Sequence, residues 1–87
     1  MHSREEWRPV LASEVKRWAE KSCEQLISEL GDGQSYEVEV GTRRFQVEVE
    51  ILENTGEYVH VMVAVDDGVL PAAIFPLTET FLRYKCW

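Results

Sequence analysis

Glu50 and His60 come nearest, among the residues of this chain, to a pair that could do acid–base chemistry. The register set by three turn signals puts them opposite one another on adjacent strands. There a carboxylate can orient an imidazole and raise its pKa, the arrangement of a general base. Catalysis also needs a nucleophile or a group that binds an electrophile, and the neighbours expected on that face, Met62, Ala64 and Ala73, supply neither. A cross-strand pair supporting the sheet by about 0.2 to 1 kcal/mol accounts for both residues, so no catalytic residue is assigned and the chain is not read as an enzyme.

Other chemistry-bearing residues reduce to structure in the same way. His2 and His60 are far apart, Cys23 and Cys86 stand singly, and no His, Cys or carboxylate spacing suits a metal, so neither metal nor cofactor is expected. Asp66-Asp67-Gly68 resembles a fragment of a calcium loop but lacks the rest of the twelve-residue ligand pattern, and a hairpin turn explains it. Gly31 and Gly33 do not sit between a strand and a following helix, so they form no phosphate cradle. Cys23 has Glu20 and Glu24 beside it, which oppose thiolate formation, and both cysteines read as free thiols.

Composition narrows the function classes. Nine Lys and Arg against sixteen Asp and Glu give a net charge of −7, a field that repels phosphate backbones and attracts basic partners. Five basic residues face seven acidic ones up to Gly33, and four face nine beyond it, so the acidity is concentrated in the second half. At 87 residues the chain is expected to be one domain, 1–87, with a single core. No apolar run approaches the ~20 residues of a membrane helix, and MHSREEWRPV lacks the apolar stretch of a secretory leader, so cytoplasmic residence is expected.

The elements that must position these residues follow from periodicity. Trp7, Leu11, Val15 and Trp18 recur at three- and four-residue steps, one stripe of an amphipathic helix. Ser3 with Glu6 fits a capping box that would start it near Arg4, whereas Pro9 favours a start at Arg8 or a bend. Ser22 with Gln25 fits a second box, so the helix is expected to be kinked or broken near Ser22 and to end at Gly31 as its C′ residue.

From Gln34 the period becomes 2. Gly41-Thr42 suits a two-residue type II′ loop, pairing Val40 with Arg43, Val38 with Phe45, Tyr36 with Val47 and Glu39 with Arg44. Asn54-Thr55-Gly56 suits a three-residue loop with Gly56 left-handed, pairing Ile51 with Val59, Val49 with Val61 and Val47 with Val63. Asp67-Gly68 suits a type I′ turn, setting Leu70 across from Val65, Ala72 from Val63 and Ile74 from Val61. All three turns place one valine-rich face inward, and Thr80 to Lys85 is available as a short fifth strand. The expected fold is α+β: an N-terminal helix packed on one face of a four- or five-stranded antiparallel meander.

The opposite face is two-toned. Glu37, Glu39, Glu48 and Glu50 form an acidic stripe, while Leu52, Tyr58, His60, Met62, Ala73 and Phe75 form a largely apolar half that calls for a cover. The C-terminal residues Phe81, Leu82, Tyr84 and Trp87 could fold over it, a second copy could stack on it, or a peptide or small molecule could occupy it. The expected function is a small non-catalytic cytoplasmic interaction module that homodimerises or binds a partner protein through this half. The alternative is an acidic inhibitor of the immunity-protein kind, whose glutamates occupy a basic site by charge mimicry. Neither nucleic acid nor membrane is an expected partner.

Overall fold

The computed structural model describes residues 7–67 and 76–85. Its elements are α1 (Arg8–Ala19), α2 (Cys23–Glu29), β1 (Gln34–Val40), β2 (Arg43–Asn54), β3 (Tyr58–Asp66) and β4 (Leu77–Tyr84). The four strands form one antiparallel sheet in the order β1-β2-β3-β4. The helices lie across its valine face, which makes the two-layer α+β architecture expected.

α1 begins at Arg8, the start that Pro9 favours, because a proline in the first helical turn lacks only an N–H that has no partner there. The Ser3–Glu6 box lies outside the described residues. The break near Ser22 is present, and both halves of its capping box form: the Gln25 N–H donates to Ser22 Oγ (3.1 Å) and the Ser22 N–H to Gln25 Oε1 (3.2 Å). α2 has its C-cap at Leu30, so Gly31 is the C′ residue as expected, but the left-handed residue is Gly33 (φ 79°), whose N–H donates to the Leu30 carbonyl (3.1 Å).

The β1–β2 register is the expected one, residue for residue. Gly41 has φ 65° and among the described residues no non-glycine residue has positive φ, so Thr42 is not left-handed and the loop is of the II′ kind.

The next two hairpins depart from expectation. Between β2 and β3 the observed pairs are Ile51 with Val61, Val49 with Val63 and Val47 with Val65, and Leu52 is left over as a bulge between Ile51 and Glu53. The cause is the Thr55 hydroxyl, which accepts from the N–H groups of Glu57 (3.1 Å) and Tyr58 (3.0 Å). With the Thr55 N–H donating to the Tyr58 carbonyl (2.9 Å), the loop closes to Gly56-Glu57, and Gly56 needs no positive φ. The valine pairing is displaced by two, an even number, so the core face is preserved.

The fourth strand is Leu77–Tyr84, not a segment around Leu70 to Ile74. Val65 pairs with Leu77, Val63 with Glu79, Val61 with Phe81 and Val59 with Arg83. A strand through Pro71 loses a ladder donor, whereas the proline-free run after Pro76 loses none and is rich in Thr and aromatic residues. The Gly68 turn and residues 69–75 lie outside the described residues. Of Thr80 to Lys85, expected as a fifth strand, Thr80 to Tyr84 belong to the fourth.

Trp7, Val10, Leu11, Trp18, Leu26 and Leu30 from the helices are buried against Phe45, Val47, Val49 and the four valines of β3. Each such side chain contributes about 1.5 to 3 kcal/mol by leaving water. The helix junction is tied to β4 by Arg83, whose Nε donates to the Lys21 carbonyl (3.0 Å) and whose carbonyl accepts from Cys23 Sγ (3.1 Å). Among the described residues no helix is long and apolar enough to cross a membrane.

Candidate interaction surface

Strand alternation and the Leu52 bulge together decide what faces away from the helices. All four glutamates of the acidic stripe are exposed on this face. Glu37 accepts from Gln46 Nε2 (2.8 Å) and Glu39 pairs with Arg44 (3.2 Å) in a contact open to water, which contributes little to stability. Glu48 stands opposite Ala64 and Glu50 opposite Met62, and among the described residues no cation pairs with either. The bulge adds Glu53 to the stripe.

The expected Glu50–His60 pair does not form. The tight Thr55 loop and the bulge set His60 across from Glu53, and Glu53 Oε2 accepts instead from the Tyr58 hydroxyl (2.9 Å). That bond, and then the carboxylate's charge, raise the Tyr58 pKa. Glu50 is thus not the carboxylate opposite His60, and the carboxylate that is, Glu53, is bonded to a phenol.

The apolar half is concentrated toward the β2–β3 loop. Tyr58 and Tyr84 stack edge to face, with centroids 6.0 Å apart, an arrangement aromatic rings favour. Tyr84 is 61% exposed, Leu82 44% and the bulge residue Leu52 47%, while His60 and Met62 are half-buried. Lys85 clasps this end by donating from Nζ to Asn54 Oδ1 (2.9 Å) and from its backbone N–H to the Glu57 carbonyl (2.9 Å).

Ala73 and Phe75, also expected here, and Trp87 of the expected cover lie outside the described residues. Leu82 and Tyr84 take part as strand residues and not as a cover, for they lie in the sheet itself, and Phe81 turns inward to the core. The signal that could have found them is the proline-free run after Pro76, rich in Thr and aromatic residues.

A second constellation, on the inner side, has no counterpart in the expectations. Trp18 Nε1 donates to Tyr36 Oη (2.7 Å), and Tyr36 Oη donates to Glu14 Oε1 (2.5 Å). Arg17 lies 3.6 Å from the same carboxylate oxygen, which leaves Glu14 only 6% exposed yet compensated. Burial first, then the bond to Glu14, push the Tyr36 pKa up to about 12, against the lowering effects of the Trp18 bond and the Arg17 charge. Glu14 follows Val10 by four residues and precedes Trp18 by four, so its place on the buried stripe was visible in the spacing.

No protein-family model, curated protein sequence or solved structure matches this chain.

Proposed function

We propose that this chain is a non-catalytic interaction module, acting in the cytoplasm, that pairs with a second copy of itself through the apolar half of the outward sheet face. The observation that carries the reading is the pair Leu82 and Tyr84, large apolar side chains exposed beside His60 and Tyr58 on the side away from the core, with the bulge residue Leu52 also exposed on β2. Clusters of this kind mark interaction sites more often than isolated exposed residues do. Charge argues for the geometry of the pairing. A twofold axis between two stacked sheets, parallel to β3 and β4, lays neutral half on neutral half and carries the acidic halves to opposite flanks. Sliding β2 over β2 would set glutamates against glutamates.

Sedimentation equilibrium tests the proposal. The wild type should sediment at twice the chain mass, and Leu82→Lys, at an exposed site, should keep its circular dichroism spectrum but sediment as a monomer. A wild type that stays monomeric at high protein concentration contradicts it.

A second reading, an acidic inhibitor filling a basic site, is supported by Glu48 and Glu50, exposed and without a cationic neighbour among the described residues. It requires a basic nuclease-type protein to bind saturably at low salt, and retention of that binding after all four stripe glutamates become glutamine would remove it.

A further inference from the structure

β1 is an edge strand, and its register shows which of its backbone groups are unused. A two-residue loop makes its flanking residues, Val40 and Arg43, a hydrogen-bonded pair, and antiparallel pairs alternate from there. Tyr36 and Val38 therefore also bond to β2. The N–H and C=O groups of Ser35, Glu37 and Glu39 point the other way, along an edge that no strand among the described residues occupies. The edge has no proline, lysine or bulge, three of the devices by which proteins block strand addition.

Its two sides differ in chemistry. On the outward side stand the exposed carboxylates Glu37 and Glu39. On the helix side a groove of about 250 Å³ runs between strand and helix, with Pro9, Val10, Val38 and Val40 among its walls and Val40 half exposed.

We infer that the β1 edge binds an extended protein segment in which basic and apolar residues alternate, added as an antiparallel fifth strand. Residues opposite Glu37 and Glu39 share their face, so lysine or arginine there meets the carboxylates. Residues opposite Val38 and Val40 point into the groove, where apolar side chains leave water. Main-chain bonds to Glu37 and Glu39 supply the register, as in other strand additions. A second copy of β1 is the wrong occupant, because pairing two such edges brings their glutamates together, and like charges across a strand pair destabilise it. The inference does not depend on whether the outward face dimerises.

The test uses an end-capped peptide of four Lys-Val repeats and two N-methylated versions of identical charge. In the added strand the lysine N–H groups face β1 and the valine N–H groups face away. Methylation at the lysines should weaken binding at least tenfold by fluorescence anisotropy, and methylation at the valines should leave it near that of the parent. Amide shifts in the labelled protein should centre on Ser35 to Val40, and Glu37→Gln with Glu39→Gln should weaken the parent peptide at low salt. Equal affinity of the two methylated peptides, shifts centred on Glu48 and Glu50, or no binding at all would overturn the inference.

Discussion

Val63→Asp should leave the chain unfolded, while Met62→Asp, one residue away on the same strand, should leave it folded. Val63 is fully buried between Val49 and Glu79 on the helix-facing side of the sheet, and Met62 is half-buried on the other. The first substitution forfeits about 1.5 to 3 kcal/mol of apolar burial and adds several more for a carboxylate with no partner. A chain of this size has a total stability of about 4 to 13 kcal/mol, so that loss consumes most or all of it. Circular dichroism and urea titration read the outcome directly. A folded Val63→Asp, or a Met62→Asp that fails to fold, would mean that the two rows of β3 have been assigned to the wrong sides.

Tyr36→Phe should cost about 3 kcal/mol, lowering the melting temperature by on the order of 15 °C. The substitution removes one oxygen but strands two groups: the Trp18 indole N–H loses its acceptor and the buried Glu14 carboxylate loses its donor. Glu14→Gln should cost less, since an amide oxygen can still accept from the Tyr36 hydroxyl.

The same oxygen gives a pH signature. The folded phenol holds its proton to about pH 12, against an ordinary value of 10, so the folded state binds that proton more tightly than the unfolded chain. Its stabilising contribution is whole below pH 10 and is lost as pH rises through 10 toward 12. Wild-type stability should fall across that window more steeply than that of Tyr36→Phe, and parallel profiles for the two would contradict the assignment. Tyr58, also raised but open to water, titrates in both proteins and cancels in the comparison.

Legibility in the sequence tracked the range of the interaction responsible. The Ser22–Gln25 box and the Gly41-Thr42 loop are decided within four residues, and both formed as expected. The Thr55 loop is equally local, but two solutions compete there. A glycine suited to a left-handed position lost to a hydroxyl that bonds two successive N–H groups, and this moved the pairing by two residues and ended the Glu50–His60 pair. The fourth strand turned on the weight given to Pro71 against a textually stronger turn at Asp67-Gly68.

Among the surface residues, Tyr58, His60, Met62 and the four glutamates could be placed outward because alternation survives an even displacement, whereas Leu52 sits in the bulge, where alternation breaks. Leu82 and Tyr84 could not be placed, since their face depends on which segment pairs with β3. The place of Glu14 on the helix stripe was legible but its partner was not, because Tyr36 is twenty-two residues away in sequence and belongs to the sheet.

The central claim is that two copies meet at the Tyr58–Tyr84 end of the outward face. Isotope-filtered NOE spectra on an equimolar mixture of labelled and unlabelled protein test it most directly, because they register only contacts between copies. The account predicts intermolecular NOEs from the methyl groups of Met62 and Leu82 to the rings of Tyr58 and Tyr84. A spectrum without intermolecular NOEs at high concentration, or with NOEs confined to α1 and α2, would contradict it.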